Sequence, residues 1–529
     1  MDGNDGKRRK VEWSDDIGFT EEDMLVAVKV GQALNNGFDT KYHLPSLQPL
    51  RRAWGPLLYS QGKLLVEKEA KMTDEKLLNS KIHRQKDLDR KMIETRKLRQ
   101  SRMLQLNALK ETQGEHLCLI PDGAVDDGFN TNVGQSGGTE NVVQVLQDDK
   151  PSASPKDHEL HRPRSCYQCK SRFSLLHHFY DQLCPKCAGL NWTKRLQKAD
   201  MKGALVLLTG GRVKIGYQIG LKLLRMGARV IVTTRFPADA ALRYSKESDA
   251  PNWSSNLQVY NLDFRDIVAT EAFTEFLNKK LDRLDAIINN ACQTIRRPDA
   301  YYKHLIETET KFKENVNHRA RKLLGDSLPK SSRFVSSIIP DAEKVDDSLF
   351  PKGAFDVNAQ QIDMRTTNSW LLTLSKVSTN EVVEVMAVNT IAPLILNARL
   401  KDLMVGSKSD RGKYIINVSA MEGKFYRHKN ANHPHTNMAK AALNMMTRTS
   451  AQEYVKDGIF MNSVDTGWIN DENPLETASR IAVENRFQTP IDEVDAASRV
   501  IDPIVTGFNG TEEERVYGLF LKDYRETEW

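Results

Sequence analysis

Ala204-Leu-Val-Leu-Leu-Thr-Gly-Gly-Arg-Val-Lys-Ile-Gly216 is the stretch whose reading decides the fold. Its first six residues, Ala204–Thr209, are almost wholly apolar, the pattern of a strand buried on both faces. Glycines at 210, 211 and 216 then make a turn, and Tyr217–Met226 reads as a helix. A strand that passes through a glycine-rich turn into a helix aims backbone N–H groups and the positive helix end at one point, an arrangement suited to a pyrophosphate. Outward from this unit, strand patterns recur at Gly227–Thr234, Leu257–Leu262, Asp285–Asn289, Lys413–Val418 and Gly458–Val464, with helical segments between them. Such alternation predicts an α/β protein with a doubly wound parallel sheet over residues 203–529.

Thr209-Gly210…Gly216, Asp263, Asn289-Asn290-Ala291, Asn389, Ser419, Lys440 and Asn462-Ser-Val-Asp-Thr-Gly467, taken in that order, resemble the short-chain dehydrogenase/reductase family and its Rossmann fold. The resemblance implies that Thr209, Gly210, Arg212, Ile215 and Gly216 line the phosphate turn and that Asp263 contacts the adenine. Asn289 would close the pocket beside the nicotinamide ribose, and Lys440 would bind the cofactor as well as act in catalysis. Arg235, just past the second strand, stands where such enzymes choose between cofactors. A carboxylate there bonds a ribose 2′-hydroxyl, whereas a guanidinium pairs with a 2′-phosphate, so Arg235 with help from Arg212 indicates NADP rather than NAD. Lys214 replaces the family's middle glycine, which normally lets the backbone approach the cofactor.

The chemical centre departs from the family. The resemblance implies a Tyr-x-x-x-Lys pair in which the lysine lowers the tyrosine pKa, but Thr436 stands four residues before Lys440. An aliphatic hydroxyl is far too weakly acidic to replace a phenol near neutrality. Ser419-Ala420 stands where the family shows a serine pair, and Asn389 matches an asparagine that holds a water beside the lysine. Tyr426, His433 and His435 are substitute proton donors, each with a structural reading beside the catalytic one, and His435 is favoured as the immediate neighbour of Thr436. These residues imply an NADP-dependent oxidoreductase acting on a small-molecule alcohol/carbonyl pair. The alternative is a weakly active or inactive dinucleotide-binding scaffold that mediates protein interactions. The stretch 293–379 is an insertion carrying Tyr301-Tyr302, and it forms a ligand or partner surface.

Before this domain, Cys166-x-x-Cys169 and Cys184-x-x-Cys187 offer two thiolate pairs on two tight knuckles. That spacing predicts a structural zinc ribbon over 165–198, since four sulfurs complete a tetrahedral shell and leave no open position for catalysis. A redox dithiol is the competing reading. Flanking Arg162, Arg164, Lys170, Arg172, Lys186, Lys194 and Arg195 leave a nucleic-acid surface open as a further reading.

The rest of the chain sets bounds. Its 529 residues exceed one ordinary domain, and charged residues at 28% against 40% hydrophobic leave part of the chain outside any core. The net charge of +6 does not by itself call for nucleic acid. No wholly apolar run approaches the ~18 residues of a membrane span, so no membrane association is expected. Lys7-Arg8-Arg9-Lys10 in the tail and small helical element 1–62 suits either a nuclear import signal or a solvated terminus, consistent with a cytoplasmic or nuclear protein. Residues 63–113 contain neither glycine nor proline, so they read as a long charged helix that is solvated or docks on a partner, a nucleic acid or its own body. Residues 114–164 read as a disordered linker. A homo-oligomer is compatible with all of this.

Overall fold

The computed structural model describes residues 73–104, 159–314, 318–326, 346–356, 358, 360–425, 429–469, 472–475 and 488–529. The basic tail, the short helix expected near Glu21–Leu34, residues 105–158 of the expected helix end and linker, and Tyr426 lie outside the described residues. The chain divides into two compact units, Met1–Asp87 and Leu88–Trp529.

Helix α1, Thr73–Glu94, stops short of the long helix that the sequence predicts. The Thr95 hydroxyl and the Arg96 guanidinium both donate to the Met92 carbonyl, at 2.8 and 3.0 Å, and so take the acceptor that the next turn would need. Residues 97–104 resume as helix, with Leu98 buried and Arg99 bonded to Asp181 at 2.9–3.0 Å. Of the readings of this segment, docking on its own body is the one observed for residues 97–104.

The cysteine module follows. β1 (Glu159–Ser165) pairs antiparallel with β2 (Arg172–Leu175), and α2 (Pro185–Leu196) starts at the second knuckle. Glu159–Arg164 therefore form a strand where the sequence suggests linker. Leu160 is buried, and the Asp89 carboxylate accepts from the backbone N–H groups of His161 and Arg162 at 2.8 and 3.0 Å, contacts that composition does not reveal.

The sheet body is assembled from β3 (Leu205–Thr209), α3 (Lys214–Arg225), β4 (Arg229–Thr234), α4 (Pro237–Ser245), β5 (Leu257–Asn261), α5 (Ile267–Lys280) and β6 (Ala286–Asn289). The insertion contributes α6 (Asp299–Glu314). Then come α7 (Thr379–Met386), a π turn at Ala387–Ile391, α8 (Ala392–Arg399), β7 (Lys413–Ser419), α9 (Pro434–Tyr454), β8 (Ile459–Asp465), α10 (Glu493–Asn509), β9 (Phe520–Lys522) and β10 (Arg525–Thr527). The eight strands lie in the order β10-β9-β8-β7-β6-β3-β4-β5, all parallel except β10 against β9. Counting within the sheet, this is the doubly wound Rossmann arrangement, whose direction reverses between β3 and β6. A ligand crevice opens outside the carboxyl ends of those two strands.

Alternation along each strand feeds two cores. Val206, Leu208, Val230, Val232 and Ile288 pack with residues of α3, α4 and α10, whereas Leu205, Leu207, Ile231 and Ile287 pack with residues of α5, α8 and α9. Each such side chain contributes about 1.5–3 kcal/mol by leaving water, which is why strands with no polar face are committed to the middle layer. The insertion closes the open β5 edge, since Val259 N–H donates to Leu323 O at 2.7 Å and Gly325 N–H donates to Val259 O at 2.9 Å. One helical run among the described residues, Thr379–Arg399, is long and apolar enough by composition to cross a membrane, but 61% of its most apolar window is buried inside the body.

Candidate active site and cysteine centre

The glycine turn sits at the switch point. Gly210 adopts φ +68°, and Lys214 adopts φ +50°, so the lysine holds the left-handed backbone that glycine takes more readily. A Cβ on Gly216 would lie 2.1 Å from the Gly210 carbonyl oxygen and 2.5 Å from Asn290 Nδ2, so this position admits only glycine. Thr209 Oγ1 accepts from the N–H groups of Asn290 and Ala291 at 3.0 and 2.9 Å and thereby ties the turn to the end of β6. The turn is thus compact, with Ile215 half-buried against the core beneath it.

The residues expected at the adenosine end are engaged by the protein's own groups. Arg212, nearly buried, pairs with Asp239 at 2.8 Å and donates to Gln360 at 3.0 Å. Arg235 donates to the Tyr302 hydroxyl at 2.8 Å, with its guanidinium 4.5 Å from that ring's centre. Asp263 accepts from Arg265 through both carboxylate oxygens at 2.7–3.1 Å. Burial pushes the Asp263 carboxyl up, but the Arg265 hydrogen bonds and charge outweigh it, and the net value lies below the usual one. The Glu309 carboxylate accepts from the N–H groups of Ala238 at 2.9 and 3.1 Å and Asp239 at 3.2 Å, the first turn of α4. Burial raises Glu309 to about 7 against the pull of those N–H groups and of Arg212.

The reacting end is different. Lys440, buried on α9, donates to Val418 O at 2.8 Å, the carbonyl next to Ser419. The hydroxyls of Ser419 and Thr436 are buried and have no hydrogen-bond partner among the described residues. Thr436 and Lys440 lie one turn apart on α9 and share a face. Asn389 lies in the π turn, where its Oδ1 accepts from Gln293 N–H at 2.8 Å and its Nδ2 donates to Gln293 O at 3.0 Å. Both amide atoms therefore hold the start of the insertion. Asn289 also turns inward, with Nδ2 donating to Asn397 and Asn417 at 2.9 and 2.8 Å, while its Oδ1 has no partner. His435 is buried with Nε2 3.6 Å from Glu381 Oε1 on α7. Burial raises Glu381, but the contacts with His435 and Ser369 bring it below its usual value. His433 lies flat on Trp370, ring centres 3.8 Å apart, and its Nδ1 donates to the Trp370 carbonyl at 2.9 Å, a packing role.

The four cysteines converge. The sulfurs of Cys166, Cys169, Cys184 and Cys187 all lie within 4.8 Å of one another, and those of Cys169 and Cys184 are 3.6 Å apart. A tetrahedron with Zn–S arms of ~2.3 Å has sulfurs about 3.8 Å apart, so the cluster can hold such a metal. Lys170 at φ +63° shapes the first knuckle, and Cys184 caps α2. The module is fused to the sheet body. Arg195 pairs with Asp492 at 2.7 and 2.9 Å and with Asp495 at 2.9 Å, Tyr180 donates to Asp495 at 2.6 Å, and Lys194 pairs with Asp502 at 2.5 Å. The basic flank is thus partly spent on internal ion pairs.

Glu309, Gln360, Asp239 and Glu381 were not foreseen. The one local signal was on α6, where Tyr302 and Glu309 stand seven residues apart and share a helix face.

Comparison with known proteins agrees with this architecture. The short chain dehydrogenase family matches residues 204–317, and the enoyl-(acyl carrier protein) reductase family of the same kind matches residues 363–503, leaving the middle of the insertion unmatched. An uncharacterized protein of Acanthamoeba polyphaga mimivirus, R665, is 32% identical over 358 residues, covering 64% of this chain and 71% of that protein. A 2-dehydro-3-deoxy-D-gluconate 5-dehydrogenase of Pseudoalteromonas atlantica is 32% identical over 106 residues, 20% of this chain and 41% of the other. Among solved structures, the Pseudomonas aeruginosa RhlG/NADP complex covers 61% of this chain and 95% of its own at 17% identity and TM-score 0.39. An NADPH-bound carbonyl reductase from chicken fatty liver covers 62% and 100% at 19% identity and TM-score 0.37. With the glycine turn, the strand order and the family matches on both sides of the insertion in agreement, the chain belongs to the short-chain dehydrogenase family.

Proposed function

We propose that this chain is an NADP-dependent oxidoreductase of short-chain dehydrogenase type with an altered proton-transfer centre, acting on an alcohol/carbonyl pair of a small molecule. The reading is carried by one observation: the buried hydroxyls of Ser419 and Thr436 have no partner among the described residues, beside a buried Lys440, at the carboxyl end of the sheet. Buried polar groups left unpaired cost about 1–3 kcal/mol each, and a site that keeps two of them is built to receive polar atoms. The residues also fit a dinucleotide, because the turn at Gly210 and Gly216 has no side chain to block a pyrophosphate.

The cofactor, when bound, supplies hydride transfer at its nicotinamide ring. The chain's part is to bind, orient and move a proton. Gly210, Arg212, Ile215 and Gly216 would hold the phosphates, and Arg235 would exchange the Tyr302 hydroxyl for a 2′-phosphate. Lys440 would place its charge beside the ribose and Ser419. Ser419 would orient the substrate oxygen, and Thr436 would pass a proton as a relay, since its hydroxyl is too weakly acidic to be the source. His435, with Nε2 3.6 Å from Glu381 Oε1 and next to Thr436 on the same helix, would supply the proton that Thr436 relays. The four cysteines would bind one structural zinc, with no role in the reaction.

Fluorescence titration tests this directly. The protein should bind NADPH more tightly than NADH, and Lys440→Ala should weaken binding and abolish turnover. Absence of NADPH binding, or unchanged turnover in the variant, would overturn the proposal.

A further inference from the structure

The insertion helix α6 meets the sheet body where the cofactor's phosphorylated ribose would lie, given the reading above. Two turns of α6 present Tyr302 and Glu309 on one face. Tyr302 bonds Arg235 at 2.8 Å, and Glu309 sits on the N–H groups of Ala238 and Asp239 at 2.9–3.2 Å. These N–H groups follow Arg235 by three and four residues, so the arginine and the α4 amides form one anion-attracting corner. Arg212 lies beneath it, nine-tenths buried, with its charge taken by Asp239. The corner already holds an anionic group of the chain itself, delivered from the insertion.

We propose that Glu309 is a specificity-determining residue: its carboxylate competes with the cofactor's 2′-phosphate for the first-turn amides of α4. The competition is selective. A 2′-phosphate must displace Glu309 and then lie beside its negative charge, whereas a 2′-hydroxyl carries no charge to repel and is able to donate to the same carboxylate. Glu309 therefore holds back the NADPH preference that Arg235 favours and leaves NADH binding nearly untouched. Because Glu309 belongs to the insertion, any movement of α6 away from α4 shifts the chain toward the phosphorylated cofactor.

The test uses the full chain at about pH 8, above the value of about 7 to which burial raises Glu309, and measures both cofactors by fluorescence titration in wild type, Glu309→Gln and Glu307→Gln. The glutamine at 309 keeps an oxygen that accepts from the Ala238 and Asp239 N–H groups, so the fold is retained, and thermal melting checks it. Glu307, on the exposed side of the same helix, pairs with Lys311 at 3.8 Å and controls for net charge. Glu309→Gln is expected to raise the ratio of NADPH to NADH affinity by about tenfold or more, the scale of one charge-assisted hydrogen bond, while Glu307→Gln leaves it unchanged. An unchanged ratio in Glu309→Gln with both cofactors bound overturns the proposal and leaves the dinucleotide reading standing. An equal rise in both variants reduces it to net charge and overturns it as well. If neither cofactor binds any of the three proteins, the dinucleotide reading fails and this proposal fails with it.

Discussion

Replacing Arg195 by methionine should uncouple the cysteine module from the sheet body. The guanidinium makes three hydrogen bonds of 2.7–2.9 Å to Asp492 and Asp495, and its face lies 4.6 Å from the Phe179 ring. Methionine keeps the length of the apolar stem and most of the ring contact but removes the charge. Two carboxylates are then left buried with no cation between them, the costly way to break an ion pair, at about 3–5 kcal/mol. With an unfolding entropy of roughly 2.1 cal/mol/K per residue, a unit the size of Leu88–Trp529 should lose about 3–5 °C in melting temperature. Differential scanning fluorimetry measures this, and limited proteolysis within 159–198 reports whether the module opens first. The double variant Arg195→Met/Asp495→Asn should recover part of the loss, because it removes one orphaned charge. Asp495 is the better choice for relief: burial holds its carboxyl above the usual value, whereas at Asp492 burial is outweighed by Arg195 and the net value is low. A shift within 1 °C in the single variant, or a further drop in the double, would refute the reasoning.

Other tests follow from the geometry. Gly216→Ala forces a methyl group to within 2.1 Å of the Gly210 carbonyl, so it should cost roughly 1–3 kcal/mol of stability and any dinucleotide affinity; a variant that melts and binds like wild type would show that the turn is looser than drawn. Elemental analysis should find one zinc per chain, and a chelator should lower the melting temperature because the cysteines share a core with Leu98, Phe179, Tyr180 and Ile491; protein purified without chelator and free of metal counts against it. Glu309 makes stability fall as pH rises between its ordinary 4.5 and its folded value of about 7, since the native state keeps the proton longer. The groups facing it are Asp239, Arg212 and the α4 amides, and Asp239 acts with opposite sign. There burial raises the carboxyl, but Arg212 and Arg243 hold it low, so its contribution is lost only in acid as pH falls through that lowered value. Melting curves of wild type and Glu309→Gln should therefore diverge from pH 5 to 7 in favour of the variant, and parallel curves would remove Glu309's titration from the account.

What the sequence determined by itself was local. The six strands from Ala204 to Val464 were legible because each is a short run with no polar face, and a run of that kind can only be satisfied in the middle of a covered parallel sheet. The two cysteine knuckles were legible for a related reason: the spacing within each pair places both sulfurs on one turn. The three-residue strands β9 and β10 were too short to carry a period, and β1 was hidden in a polar stretch. The candidate site was legible only as a set of positions. Gly210, Gly216, Ser419, Thr436 and Lys440 stand where the chain order puts them, at the ends of strands and on one helix face. Tertiary structure alone decided what each of these groups meets. Arg195 finds Asp492 from 297 residues away, Arg212 finds Gln360 from 148, and the helix bearing Glu309 folds back 71 residues onto Ala238. The amides of Asn289 and Asn389 meet Asn397, Asn417 and Gln293 for the same reason. Apolar burial is non-directional and follows from composition along the chain, whereas a hydrogen bond requires two particular atoms within about 3 Å, and which atoms those are is known only once distant segments have packed.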